Sequence, residues 1–316
     1  MTLAVINFEL PDHMLARLRQ VFPQLAIERC PDKDSLFAHL PQAEILMTFM
    51  QCSQKMLDAA PGLKWIQAIS AGVDFLPLTE IRRRGILLTC GRGTSTIQMA
   101  EYAIAAMINL ARNLHLMFRN QVQARWERKI PQQEIYGATV GILGLGAIGA
   151  EIARRAAFMG MRVIGVRRAP APVEGVAEVV GPERMAEVFQ QSDYIINLLP
   201  ATPDTQKIID RKYFDLMQPT ACFISMGRGA TVNEPDLIAA LQQKKIRALV
   251  SDVYAVEPLP ADSPLWALEN VILTPHVCGA SPQYMSRALE IIEHNLKVYT
   301  GGQGEMMQRV DLTKGY

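Results

Sequence analysis

Gly144-Leu145-Gly146-Ala147-Ile148-Gly149 stands near the middle of the chain, and its flanks decide the fold. Thr139-Val140-Gly141-Ile142-Leu143 before it reads as a buried strand. The Ala-rich run from Ala150 to Gly160 reads as a helix, and Arg162-Val163-Ile164-Gly165-Val166 as the next strand. A strand, a glycine loop, a helix and a strand within about 30 residues turn G-x-G-x-x-G, weak alone, into a dinucleotide-binding unit. Gly144 allows the tight turn, Gly146 lets backbone approach a pyrophosphate, and Gly149 lets the helix lie close on the strand. Ala147 and Ile148 complete the loop, where the helix N-terminus offers free N–H groups and a partial positive charge.

The second strand ends in Arg167-Arg168, where an NAD-binding unit places Asp or Glu to hold the ribose 2′-hydroxyl. Two guanidinium groups suit a 2′-phosphate instead. The expected cofactor is NADP(H), with NAD(H) a possible substitute.

The composition is that of a globular protein. Of 316 residues, 49% are hydrophobic and 20% charged, enough for two ordinary cores. A net charge of +1, with no like-charge run longer than Arg82-Arg83-Arg84, gives no nucleic-acid surface. The N-terminus lacks a basic leader and reads as a strand. Glu101, Asn109 and Arg112 interrupt the most apolar helix, so no membrane span is expected. Cys30, Cys52, Cys90, Cys222 and Cys278 show no C-x-x-C spacing, and His13, His39, His115 and His294 have no ligand-like spacing to His276. That pattern suits a reducing cytoplasm and argues against disulfides and a metal site.

Strand and helix candidates alternate over the first hundred residues, as in a small parallel α/β domain. A Met- and Ala-rich stretch from Thr96 to Arg125 reads as one long helix. Strands and helices then alternate again through Val271 to Thr274, and a last helix is expected over Pro282 to Tyr299. In such open sheets ligands bind beyond the carboxyl ends of the strands. Three strand ends there carry useful chemistry: Ser225-Met226-Gly227-Arg228, Asp252, and Pro275-His276. Any one alone suits a cap or turn. Three at successive strand ends point to a site.

These residues resemble the D-2-hydroxyacid dehydrogenase family over nearly the whole chain. Ser70-Ala71-Gly72-Val73-Asp74 is similar to its substrate loop, Ala100-Glu101-Tyr102 to its linking helix, and Leu198-Leu199-Pro200-Ala201-Thr202-Pro203-Asp204-Thr205 to its nicotinamide-side loop. Asp252-Val253, Glu257-Pro258-Leu259-Pro260, Ser263-Pro264-Leu265-Trp266 and Thr274-Pro275-His276 resemble its C-terminal signature. The closing Arg309-Val310-Asp311-Leu312-Thr313-Lys314-Gly315-Tyr316 resembles the glyoxylate/hydroxypyruvate reductase branch. Ser225 departs from the pattern, which has Asn there.

The resemblance implies two doubly wound α/β domains. A Rossmann cofactor domain, 98–283, is inserted into a flavodoxin-like substrate domain, 1–97 with 284–316. It also implies a homodimer built through the cofactor domain by the long helix and arm, with Trp126 as an anchor. The implied activity is NADPH-dependent reduction of small 2-ketoacids such as glyoxylate and hydroxypyruvate. Arg228 would clamp the carboxylate and carbonyl oxygens, and His276, paired with Glu257, would give the proton. Asp252 would accept from the nicotinamide carboxamide. Thr96, Leu199, Pro200, Thr205, Met226, Gly227, His276 and Gly279 would complete the cofactor site. Phe49, Met50, Ala71 and Gly72 would face the substrate, with the Ala71 and Gly72 amides on its carboxylate. A broad or aromatic D-2-hydroxyacid dehydrogenase, and a corepressor-like nucleotide sensor, are the alternatives. A phosphoglycerate dehydrogenase is disfavoured, because its long variants carry a regulatory domain.

Overall fold

The structure is a computed structural model that describes residues 1–49 and 51–315. The chain divides into two compact units, Met1–Ser95 with Ser281–Tyr316, and Thr96–Ala280.

The first unit is built on a parallel sheet of five strands: β1 (Thr2–Ile6), β2 (Leu25–Arg29), β3 (Ala43–Thr48), β4 (Trp65–Ala68) and β5 (Leu87–Thr89), in the order β2-β1-β3-β4-β5. That 2-1-3-4-5 order is flavodoxin-like. Ala4, Val5, Ile6, Ile45, Leu46 and Met47 are all 0% exposed, as expected of central strands covered on both faces. The helix Tyr284–Gly301 contributes Ala288, Leu289, Ile292 and Leu296 to one face, against Trp65 and Ile69. Tyr299 stacks on Trp65 at 5.2 Å between ring centroids. A buried polar chain fastens the tail: Trp65 Nε1 donates to Thr89 Oγ1, Thr89 to Gln67 Oε1, and Asn295 Nδ2 to the same Gln67 oxygen, each at 2.8 Å. Asn295 Oδ1 accepts from Met307 N at 2.7 Å, and Arg309 bridges Thr89 in antiparallel register.

The second unit carries seven parallel strands: β6 (Thr139–Leu143), β7 (Arg162–Val166), β8 (Glu178–Val180), β9 (Tyr194–Asn197), β10 (Cys222–Ser225), β11 (Ala248–Ser251) and β12 (Val271–Leu273). Their order is β12-β11-β10-β9-β6-β7-β8, so the chain reverses direction of growth between β6 and β9. That is the Rossmann arrangement and its switch point.

The helix expected over Thr96 to Arg125 is two helices, Thr96–Arg112 and Leu114–Val122. Asn113 breaks it with φ 47°, and its Nδ2 donates to the Pro131 carbonyl at 2.8 Å. Asn tolerates the left-handed region better than most residues, so no Gly or Pro was needed to mark the break. Among the described residues, no helix is long and apolar enough to cross a membrane.

Candidate active site

The glycine loop shows three different steric demands. Gly144 has φ +107°, a conformation L side chains rarely adopt, and a Cβ there would lie 3.3 Å from the Leu198 carbonyl oxygen. A Cβ on Gly149 would sit 2.3 Å from the Gly144 carbonyl oxygen, so the helix Ala147–Phe158 depends on glycine to approach β6. Gly146 is the opposite case. It N-caps that helix with no side-chain hydrogen bond, and a Cβ there would meet nothing within 4 Å. Open space before an uncapped helix N-terminus is the form of a phosphate cradle.

Most of the other cofactor candidates follow the carboxyl ends of strands of the same sheet. Arg167 and Arg168 are exposed just beyond β7, and the Arg167 N–H is tied to the Val180 carbonyl at 2.9 Å. Thr205 closes the loop after β9, donating to the Pro200 carbonyl at 2.6 Å, and leaves Leu199 half-buried and Pro200 exposed. The Thr96 hydroxyl is buried without a hydrogen-bond partner among the described residues. Gln98 Nε2 fixes the Gly279 carbonyl at 2.9 Å. The Met226 side chain is 2% exposed and packs in the core.

The residues after β10, β11 and β12 are gathered into one network. His276 Nδ1 lies 2.7 Å from Glu257 Oε2, and Glu257 Oε1 accepts from the Tyr254 N–H at 2.9 Å. Gly229, next to Arg228, is packed so closely on the Tyr254 carbonyl that a Cβ would lie 1.9 Å from its oxygen. This holds the Arg228 loop against the segment that carries Glu257. Arg228 itself is half-buried, with Nη1 donating to the Gly227 carbonyl at 2.9 Å.

Asp252 follows β11 and lies within this network. It is 0% exposed, and its carboxylate accepts from Thr274 Oγ1 at 2.5 Å, Val277 N at 2.9 Å and Cys278 N at 2.9 Å. Asp252 thus braces the loop that carries His276. Since Thr274 spends its proton on Asp252, the Tyr102 hydroxyl 2.6 Å away donates to Thr274. Burial pushes Tyr102 up to about 12, which keeps that proton in place. Tyr102 and Thr274 lie within motifs quoted above, yet no sequence signal distinguished them as partners. Ser225 is 2% exposed and faces the buried Asn197, not open space.

In the first unit, Phe49 is 40% exposed with its ring 6.0 Å from that of Tyr284. Tyr284 donates to the Ile69 carbonyl at 2.7 Å, just ahead of the loop holding Ala71 and Gly72. Ser70 Oγ donates to the Gly72 carbonyl at 2.9 Å and shapes that loop. Met50 lies outside the described residues.

The family model for the NAD binding domain of D-isomer specific 2-hydroxyacid dehydrogenases matches residues 104–278. A glyoxylate reductase from Korarchaeum cryptofilum is 30% identical, over 94% of this chain and 92% of its own. Among solved structures, a D-isomer specific 2-hydroxyacid dehydrogenase family protein from Aeromonas salmonicida is 32% identical, with a TM-score of 0.88 over 98% of this chain and 99% of that one. An NADPH-dependent glyoxylate/hydroxypyruvate reductase from Sinorhizobium meliloti, solved with NADP and sulfate, is 26% identical, with a TM-score of 0.84 over 100% of both chains.

Proposed function

The chain belongs to the D-isomer specific 2-hydroxyacid dehydrogenase family, and we propose that it is an NADPH-dependent reductase of glyoxylate and hydroxypyruvate. The observation that carries this reading is the His276–Glu257 pair, 2.7 Å apart, on a loop network shared with Arg228. NADP(H) fits the open cradle at Gly146, the exposed Arg167 and Arg168, and the unpartnered Thr96 hydroxyl.

Bound NADPH supplies the hydride that the substrate's carbon 2 receives. Arg228 forks onto the carboxylate and carbonyl oxygens, which orients the acid and stabilises charge growing on the carbonyl oxygen. His276, held through Nδ1 by Glu257, carries on Nε2 the proton that this oxygen takes as it becomes a hydroxyl. Glu257 fixes the orientation of that ring. In the first unit, Ala71 and Gly72 offer backbone N–H groups to a carboxylate, and Phe49 presents an apolar wall that disfavours bulky side chains.

We further propose a homodimer formed through the helix Leu114–Val122 and the following arm, where Phe118, Val122 and Trp126 are 56%, 89% and 90% exposed. Sedimentation velocity tests it. The five buried free cysteines suit a reducing cytoplasm.

The deciding experiment measures kcat/KM for glyoxylate, hydroxypyruvate, pyruvate and phenylpyruvate with NADPH and with NADH. The first two acids with NADPH are expected at the top and phenylpyruvate at the bottom. Phenylpyruvate at the top makes it a broad or aromatic ketoacid reductase. No turnover of any ketoacid leaves a nucleotide sensor.

A further inference from the structure

Asn197 is 0% exposed at the end of β9, directly across the parallel register from Ser225 of β10. Its Nδ2 donates to Thr231 Oγ1 at 2.9 Å and reaches Ser225 Oγ at 3.4 Å, while its Oδ1 accepts from the Leu199 N–H at 3.1 Å. Thr231, also 0% exposed, passes its own hydroxyl proton to the Arg228 carbonyl at 2.7 Å. The Thr231 N–H reaches that carbonyl too, at 3.1 Å. Between these anchors lies Gly227, pressed on the Leu198–Leu199 peptide, where a Cβ would meet the Leu199 oxygen at 2.7 Å and its nitrogen at 2.9 Å.

We infer that Asn197 and Thr231 position Arg228: the amide orients the Thr231 hydroxyl, and the hydroxyl orients the backbone from which the guanidinium projects. The pair also serves two backbone groups, the Leu199 N–H and the Arg228 carbonyl, which an apolar pair of the same shape would leave without these partners. What the polar pair adds is direction. A guanidinium that must meet two oxygens of one substrate needs that direction, since small misplacements of a clamp cost rate steeply. The second arm of the amide, on Leu199, sets the start of the loop closed by Thr205. Asn197 thus ties the loop bearing Arg228 to its neighbour.

The inference rests on Arg228 being the ketoacid clamp, so its test carries Arg228→Ala as a control. Thr231→Val removes the hydroxyl and keeps the shape. It is expected to raise the glyoxylate KM about tenfold. NADPH affinity, measured by fluorescence titration, should stay within about twofold, and the pH profile of kcat/KM should not move, because the His276–Glu257 pair is untouched. Thr231→Ser, which restores the hydroxyl, should return KM to within about twofold of wild type. An unchanged KM in Thr231→Val, or Thr231→Ser as impaired as Thr231→Val, overturns the inference. So does a joint shift of KM, NADPH affinity and pH profile, which would mean general loosening. Should Thr231→Val not fold, Thr231→Ala takes its place with the same outcomes. If Arg228→Ala leaves the ketoacid KM alone, the clamp itself is wrong. If it raises KM and Thr231→Val does not, only the positioning role falls.

Discussion

His276 Nδ1 and Glu257 Oε2 lie 2.7 Å apart, and the other Glu257 oxygen is held by the Tyr254 N–H. The carboxylate is therefore fixed at both ends. His276 adopts φ 54°, in the left-handed region that costs a residue with a Cβ on the order of 1 kcal/mol. Asp252 holds the loop there by accepting the next two N–H groups.

Glu257→Gln should lower kcat by about tenfold or more, because the imidazole loses the carboxylate that holds its ring in place. His276→Ala should lower kcat by roughly 10²–10⁴ with NADPH binding little changed. A wild-type kcat in Glu257→Gln would remove Glu257 from the relay.

Gly146 and Gly149 should respond in opposite ways to alanine. At Gly146 the new methyl enters open space, so the melting temperature should hold while NADPH affinity falls about tenfold or more as the methyl occupies the phosphate cradle. At Gly149 the methyl would sit 2.3 Å from a backbone oxygen, so the protein itself should lose stability. Calorimetry with NADPH titration separates the two. An intact affinity in Gly146→Ala would place the phosphates elsewhere.

Arg167→Asp should weaken NADPH and improve NADH relative to it. The exposed guanidinium is replaced by a charge that repels a 2′-phosphate and accepts from a ribose hydroxyl. The ratio of kcat/KM for the two cofactors reads this directly. A ratio unmoved by the substitution would assign the preference to other groups.

His115 should make stability fall on the acid side. Its Nδ1 is buried without a hydrogen-bond partner among the described residues. Burial, helped by Arg119 and Arg247, pulls its pKa from 6.5 to about 4. The unfolded chain then binds the proton first. Its contribution is complete above pH 6.5 and is lost as pH falls toward 4. His115→Leu should flatten that part of the stability curve, seen as a smaller drop in melting temperature between pH 7 and 4.5. An equal drop in both proteins would mean that other groups govern the acid limb.

The fold class was legible because period and punctuation agree. Aliphatic runs such as Val140–Leu143 and Ile195–Ile196 became central strands, and the glycine loop fell between β6 and its helix. The break at Asn113 was not legible, since nothing around it differs from a helix interior until its φ is known. Asn197 and Thr231 escaped for another reason. They are 34 residues apart, and only the pairing of β9 with β10 brings an ordinary Asn and an ordinary Thr together. Asp252 was singled out for its place at a strand end. Its use depends on which way the carboxylate points, and strand position does not decide that.

The first unit is assembled from two stretches of chain with the whole of the second unit between them, and this has a consequence during synthesis. As the nascent chain leaves the ribosome, β1–β5 emerge first, but the patch of Trp65 and Ile69 stays uncovered until the helix Tyr284–Gly301 arrives. At cellular elongation rates that interval is on the order of 10–40 s, long compared with the folding of a domain. Residues Thr96–Ala280 emerge in full during this wait. Vectorial translation thus gives the nucleotide-binding half time to fold before the first unit has all of its parts.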